Sequence, residues 1–412
     1  MNRREFVGSV LAAAVAPVPV IAAPGGQRAI TTPNGSTLPL QMINGVKVGH
    51  LIAEEFDHEI APGLTIRAWG YNGSTPGPTI EVTEGDKVRL YVTNKLPEVT
   101  SVHWHGVILP NGMDGVAGLT QRAIQPGETF LYEFTFKRAG TFMYHPHADE
   151  MTQMALGMNG MIVVHPRAPK GPRVDRDFVL MAHEWLIKPG TRRADPNAMS
   201  DFNVLTFNSK AFPATAPLVC GVGERVRVRI GNLSPMDHHP IHLHGVSAEL
   251  TWTDGGEVPP QARIPETTFL VPVGSVRVFE FVPTEAGDWA MHCHMTHHVM
   301  NQMGHGFPLM LGADAQKIDA RVRKLVPGYM TMGQDGMASM GEMQMAAPPN
   351  SIPMRGGPGP FGNIDMGGMF TLIKVRAKPE QEDGRGWYQH PKGTVAEAVS
   401  AERARADGIE IG

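Results

Sequence analysis

The chain has 412 residues, of which 42% are hydrophobic and 18% charged, enough to bury more than one hydrophobic core. Lysine and arginine number 36 against 40 acidic residues, a net charge of −4, so no basic excess indicates nucleic acid or anionic lipid as a partner. The 47 glycines and 35 prolines favour short strands and turns over long helices. Only 2 cysteines accompany 18 histidines and 25 methionines, an imbalance that no fold class requires.

Residues 1–23 have the features of an export signal rather than of a domain. Arg3 and Arg4 precede an apolar run, and small residues follow at Ala22 and Ala23, which predicts a twin-arginine signal cleaved after one of these alanines. The run is too short to span a membrane, and no later segment reaches the roughly 18 uncharged apolar residues that a span needs. We expect a periplasmic or secreted protein without a membrane span.

Residues 45–168 form the first of two similar units. Residues 85–92 alternate polar and apolar side chains, as a strand with one buried face does, and lead to His103-Trp104-His105. A second such run at 130–134 leads to His145-Pro146-His147. This order of strands and paired histidines defines the unit.

Residues 172–315 repeat that order. An alternating run at 223–230 leads to His242-Leu243-His244, and another at 276–281 leads to His292-Cys293-His294. Each unit has the size of one β-sandwich domain. The repeat predicts an all-β protein with two sandwich domains.

Residues 316–412 differ from both units. Residues 330–369 hold 9 of the 25 methionines among glycines and prolines, so we expect a largely irregular C-terminal extension with one strand-like run at 369–375. Thioethers are soft ligands that suit Cu(I). The segment therefore either collects cuprous ions or is a flexible stretch whose methionines pack adaptably.

The histidines form four clusters with metal-ligand spacing. Side chains at i and i+2 of a strand share a face, so a His-x-His pair directs two imidazoles to one point. Imidazole binds zinc, copper or iron, and one pair alone is as easily an ordinary surface pair. Four pairs at corresponding positions of a repeat indicate a metal cluster instead. Its predicted ligands are His103, His105, His145, His147, His242, His244, His292 and His294.

The fourth cluster also contains a thiol. Cys293 lies between two histidines, and further along the chain come His298 and Met303, while His239 is expected from an adjacent strand. Two histidines, a cysteine and a weak methionine are the ligands of a blue-copper electron-transfer site. Zinc favours more thiolates or a closed tetrahedral set.

These motifs resemble those of the multicopper oxidases, over residues 45–315. The resemblance implies two cupredoxin-like Greek-key β-sandwich domains and four copper ions per functional unit. By this resemblance the type 1 copper is bound by His239, Cys293, His298 and Met303, and the type 2 copper by His103 and His242. The two type 3 coppers are bound by His105, His145, His147, His244, His292 and His294.

The first unit lacks the type 1 ligands. The repeat places Thr100, Pro146, Met151 and Leu156 at the positions of His239, Cys293, His298 and Met303. Copper nitrite reductases, which carry their cysteine site in the first domain and lack the eight histidines, are therefore the weaker match. The short stretch from His145 to His239 leaves no room for the middle domain of three-domain laccases. The resemblance is to two-domain, small-laccase-like bacterial enzymes and implies a homotrimer with its copper clusters between subunits.

The resemblance implies an enzyme that couples oxidation of a phenol or aromatic amine to reduction of dioxygen to water. One alternative is a cuprous oxidase for copper tolerance, which uses the methionine-rich extension. Copper storage is less favoured, because it does not explain the His292-Cys293-His294 relay. Asp114 resembles the acid that supplies protons near the cluster in this family, although an aspartate beside a glycine is equally typical of a turn.

Overall fold

The structure is a computed structural model that describes residues 29–188, 190–200, 202–302, 320–322, 324–325, 349–381 and 384–411. The predicted export signal, Met303 and much of the methionine-rich stretch lie outside these residues. In the described part strands predominate and helices are short, which confirms the all-β class. None of the helices described is long and apolar enough to cross a membrane. Two α-helices are described over their full length, α1 (Glu150–Ala155) and α2 (Ala401–Ala406), and residues 320–322 and 324–325 are also helical.

The first domain packs two sheets face to face. Its strands are β1 (Gln41–Ile43), β2 (Val46–Ala61), β3 (Leu64–Tyr71), β4 (Gly77–Thr83), β5 (Lys87–Asn94), β6 (Thr129–Thr135), β7 (Gly140–Tyr144) and β8 (Gly160–His165). One sheet has the order β1-β2-β5-β6 with β3 paired to β2, and the other has the order β4-β8-β7. The predicted alternation is visible in β5, where Val88, Leu90 and Val92 are buried in the core while Lys87 and Tyr91 are exposed.

The second domain is built in the same way. Its strands are β9 (Arg176–Trp185), β10 (Val204–Phe207), β11 (Leu218–Gly221), β12 (Val226–Asn232), β13 (His239–Leu243), β14 (Ala248–Thr253), β15 (Gly256–Glu257), β16 (Pro265–Glu266), β17 (Thr268–Val271), β18 (Ser275–Phe281), β19 (Gly287–Cys293), β20 (Gly357–Gly359), β21 (Gly362–Ile364) and β22 (Phe370–Arg376). One sheet has the order β10-β9-β12-β18-β14-β15, with β16 paired to β14. The other has the order β11-β22-β19-β13-β17, and β20 and β21 form a separate hairpin.

Strand β22 corrects the predicted domain boundary. It pairs in parallel with β11 and antiparallel with β19, as β8 pairs with β4 and β7 in the first domain. It is therefore the last strand of the second domain, although it lies within the predicted extension 316–412. The reason is an insertion: β8 begins at Gly160, soon after His147, whereas β22 begins only at Phe370, beyond the methionine-rich stretch.

A third core joins the two domains. Met143 and Met161 of the first domain pack with Val179, Val276 and Val278 of the second, and all five are buried. A buried polar contact crosses the same boundary. The guanidinium of Arg229 donates to both carboxylate oxygens of Asp177, at 2.7 and 2.8 Å, and to the hydroxyl of Thr141 at 2.6 Å. Because apolar and charged contacts both span the boundary, the position of each domain is fixed relative to the other.

Candidate metal centres

Three side chains of the second domain form a buried group with the composition of a type 1 copper site. His239 begins β13, Cys293 ends the neighbouring strand β19, and His298 lies in the 3-10 helix Thr296–Val299. One ligand atom of each lies within 4.8 Å of the other two. The Cys293 Sγ is 3.7 Å from Nδ1 of His239 and 3.5 Å from Nδ1 of His298. The pairing of β13 with β19 and the 3-10 helix that follows β19 therefore bring three of the four predicted ligands together.

The far side of each imidazole is also fixed. Nε2 of His239 lies 2.7 Å from the hydroxyl oxygen of Ser234, and Nε2 of His298 lies 3.5 Å from a carboxylate oxygen of Asp237. Both partners belong to the loop that leads into β13. With Nε2 occupied in this way, each ring presents Nδ1 to the thiol.

These residues fit a copper ion. Burial lowers the pKa of His239 to about 3 and raises the pKa of Cys293 to about 12. The imidazole is therefore neutral, with a lone pair to donate, and the thiol needs a nearby cation to lose its proton at neutral pH. A copper ion among these three atoms is such a cation. Met303, the fourth predicted ligand, lies outside the described residues.

Four histidines of the first domain face one another. A β-bridge joins His103 to His145 and so places the two His-x-His motifs side by side. Nδ1 of His105 lies 3.2 Å from Nε2 of His145, and the ring centroids of His103 and His147 are 5.5 Å apart. The four predicted cluster ligands of this domain thus form one group.

The second domain contains a matching group. The pairing of β13 with β19 places His242 opposite His292. Nε2 of His244 lies 3.2 Å from Nε2 of His292, and the ring centroids of His242 and His294 are 5.4 Å apart. His294 is exposed and His244 is partly buried, so this group opens to the surface.

Main-chain carbonyls set the tautomer of several of these rings. Nδ1 of His145 and Nδ1 of His292 each donate to the carbonyl of the following residue, at 2.9 Å in both cases. Nδ1 of His103 donates to the carbonyl of Asp114 at 2.8 Å. Because a carbonyl only accepts, Nδ1 carries the proton and Nε2 keeps its lone pair for a metal.

The two histidine groups do not meet within the described part of one chain. Every ring contact between these eight histidines joins members of the same group. His105 adjoins the second domain of its own chain elsewhere, where its ring lies beside Gly274. The eight predicted ligands therefore form two half-sites.

The first domain has a different structure at the position of the type 1 site. Thr100, the counterpart of His239, donates its hydroxyl proton to the side-chain carbonyl of Gln153 at 2.7 Å, and both residues are fully buried. Met151, the counterpart of His298, lies on α1 and is 64% exposed. A neutral hydrogen bond thus fills the space that the ligands occupy in the second domain.

Asp114 lies beside the first histidine group. Its carboxylate is 3.5 Å from Nδ1 of His103, the same nitrogen that its main-chain carbonyl accepts from. It also ends the 3-10 helix Asn111–Met113. Both interpretations of Asp114, as a proton donor and as a turn residue, fit this geometry.

Two further carboxylates adjoin the sites without belonging to any histidine motif. Oxygens of Glu150 lie 3.4 Å from Nδ1 of His145 and 3.7 Å from Nε2 of His147. Asp237 lies beside His298, as described above. Asp237 lies two residues before His239, so its place beside the site could have been predicted from the sequence. The contact of Glu150 with His145 and His147 depends instead on the turn from β7 into α1.

Comparison with known proteins identifies the family. Two family models, both described as multicopper oxidase, match residues 54–169 and 188–310, together more than half of the chain. Copper resistance protein A of Escherichia coli is 31% identical over 46% of this chain and 39% of its own length. Laccase-2 of Cryptococcus neoformans is 32% identical over 46% of this chain and 36% of its own length. The chain thus spans less than two fifths of the length of either relative.

A solved structure agrees with these matches. The blue copper oxidase of Nitrosomonas europaea superposes with a TM-score of 0.60 at 25% identity, over 79% of this chain and 85% of that one. Each matched region contains one of the two half-sites, and the second region also contains the thiol of Cys293. On these grounds the chain belongs to the multicopper oxidases, a family whose cofactor is copper.

Proposed function

We propose that the protein is an oxidase that couples one-electron oxidation of a phenol or aromatic amine to four-electron reduction of dioxygen to water. The position of Cys293 carries this proposal. Its thiol belongs to the buried type 1 group, while its chain neighbours His292 and His294 belong to the open histidine group. The shortest covalent route between the two centres therefore runs from Cys293 directly into a neighbouring histidine.

Copper bound in these sites would store the electrons that are needed to reduce dioxygen to water without releasing peroxide. The chain itself determines where the reductant arrives. His239 and Cys293 are fully buried, whereas His298 is 8% exposed, so the edge of His298 is where a reductant comes closest. The side chain of Asp237 is 38% exposed beside that edge and can accept the proton that a phenol loses on oxidation.

Oxygen uptake by copper-loaded protein tests the proposal. With a phenol we expect oxygen consumption, no return of oxygen on addition of catalase, and none of this activity in Cys293→Ser. Protein that binds copper but consumes no oxygen would indicate storage instead. Reduction of nitrite with the same phenol would indicate a nitrite reductase.

A cuprous oxidase is the second candidate, and the contact of the methionine-rich stretch with the loop that follows His298 favours it. Asn301 donates its N–H to the carbonyl of Met354 at 2.7 Å, and Ile352 donates its N–H to the side chain of Gln302, also at 2.7 Å. Residues 352–354, within the methionine-rich stretch, are thus held against residues 301–302, three residues beyond His298. Thioethers brought to this place would present Cu(I) to the type 1 site.

Substitution of leucine for six of the nine methionines of this stretch separates the two candidates. The variant replaces Met330, Met332, Met337, Met340, Met343 and Met345. If Cu(I) is the substrate, kcat/KM for Cu(I) falls while kcat/KM for a phenol stays the same. If both values stay the same, the methionines do not deliver the substrate.

We further propose a homotrimer in which the first domain of one subunit faces the second domain of the next, which completes each half-site. A head-to-tail contact of this kind closes into a ring. Exposed apolar side chains adjoin both half-sites: Ile108 and Met151 in the first domain are 53% and 64% exposed, and Leu270 in the second is 53% exposed. Contact with a neighbouring subunit would bury these side chains.

We also propose export by the twin-arginine route to the periplasm or the medium. The support is the Arg3-Arg4 pair before a short apolar run. A variant with Lys at both positions should stay in the cytoplasmic fraction, and its normal export would refute the proposal.

A further inference from the structure

Gly367, Gly368 and Met369, called here the glycine strap, lie directly before β22 and run along the type 1 ligands. Met369 donates its N–H to the carbonyl of His298 at 3.0 Å, and Cys293 donates its N–H to the carbonyl of Met369 at 3.1 Å. The main chain of one fully buried residue therefore bonds to two of the three described ligands. Rotation or displacement of the strap would move both.

The strap lies so close to the loop that carries His298 that only glycine fits at the centre of the strap. Gly368 has a φ of +57°, and a Cβ there would lie 2.4 Å from the carbonyl oxygen of His298. Gly367 donates its N–H to the carbonyl of Val299 at 2.7 Å, next along the same loop. The strap and the loop that carries His298 are thus paired over consecutive residues.

Asn301 fastens the strap to its surroundings. It is fully buried, and its side-chain oxygen accepts the N–H of Gly368 at 2.8 Å. Its amide nitrogen donates to the carbonyl of Phe212 at 3.2 Å, and its main-chain N–H donates to Met354. One side chain therefore ties the ligand loop to the strap and to the segment that precedes β11.

We propose that Asn301 is a positioning residue for the type 1 copper site, acting through the glycine strap. The amide holds the strap, and the strap fixes the main chain from which Cys293 and His298 extend their side chains. Because a type 1 centre depends on where its thiolate and imidazoles are held, a loose strap changes the centre without removing a ligand. This role concerns the copper site itself and holds for any reductant.

Reactivity of the thiol tests the proposal without copper. Asn301→Ala is compared with Asn94→Ala, both in a Cys220→Ala background so that only Cys293 reacts. Asn94 is equally buried, and its amide bonds three main-chain groups of the first domain. We expect iodoacetamide to alkylate Cys293 at least about tenfold faster in Asn301→Ala because the strap opens locally, with no change in Asn94→Ala.

Spectroscopy of the copper-loaded variants gives the second readout. Asn301→Ala should shift the visible absorption band and the EPR signal of the type 1 copper, and Asn94→Ala should leave both as in the parent. If Asn301→Ala loses as much stability as Asn94→Ala but keeps the parent's alkylation rate and spectra, Asn301 is merely structural and the proposal is wrong.

Hydrogen exchange of the unaltered protein keeps the proposal testable if Asn301→Ala does not fold. The amides of Gly368 and Met369 should exchange more slowly with copper bound than without it, together with those of residues 292–302. Slowing confined to residues 292–302, with the strap unchanged, would overturn the proposal.

Discussion

Asp114 acts on His103 with two different groups. Its carbonyl fixes the proton on Nδ1, and its carboxylate lies 3.5 Å from the same nitrogen. Asp114→Asn keeps the carbonyl and the size of the side chain but removes the acid. We expect the copper content to be unchanged and kcat for oxygen reduction to fall about a hundredfold, the usual effect of losing a general acid. Unchanged turnover at full copper loading would leave Asp114 as a turn residue only.

Glu184 makes stability depend on pH. Burial, and then the charge of Asp237, raise its pKa from 4.5 to about 8, while one carboxylate oxygen accepts the N–H groups of Met236 and Asp237 at 2.8 and 3.1 Å. Between about pH 4.5 and 8 the folded protein keeps a proton that the unfolded chain releases. The free energy of unfolding therefore falls as pH rises through this range.

Glu184→Gln tests this dependence, because the amide is neutral at every pH and can accept the same two N–H groups. We expect the variant to have a higher Tm than the parent at pH 8 and a similar Tm at pH 4.5, both measured on copper-free protein. Glu266→Gln, at an exposed position, is the control. A difference in Tm that is the same at both pH values would contradict the raised pKa.

The strands that occur in both domains could be predicted from the sequence, whereas the place of a strand that follows a long insertion could not. The alternating runs correspond to β5, β6, β12 and β18, because the period of 2 depends only on which face is buried. The strand-like run at 369–375 was recognised, but its place in the second domain was not, because the insertion removes the spacing that the repeat depends on. Ser234 and Asn301 also escaped prediction, since their contacts depend on how loops pack and not on a motif.

The place of β22 in the core can be measured. Ile373 lies on this strand, is fully buried and packs in the second-domain core. Ile373→Ala should lower the free energy of unfolding by about 2–5 kcal/mol, the usual cost of such a cavity. Ile409→Ala, at a position that is 57% exposed, should change it by less than about 0.5 kcal/mol. Equal, small effects in urea denaturation would mean that β22 is peripheral.

Within the described part of one chain, the two histidine groups lie in different domains and do not meet. The interdomain core and the contact of Arg229 with Thr141 fix the two domains in one arrangement. The half-sites therefore cannot meet by a small movement of one domain against the other. The proposed trimer, in which a second copy of the chain supplies the other half-site, rests on this arrangement of the domains as well as on the histidine motifs.

Mixing two inactive variants tests whether the cluster forms between subunits. His105→Ala with His147→Ala disables the first-domain half-site, and His244→Ala with His294→Ala disables the second. Each variant alone should reduce no dioxygen. In trimers assembled at random from equal amounts of both, about a quarter of the interfaces should pair two intact half-sites and regain oxygen uptake. The trimer itself is checked by sedimentation. If the cluster formed within one chain, the mixture would stay as inactive as its components.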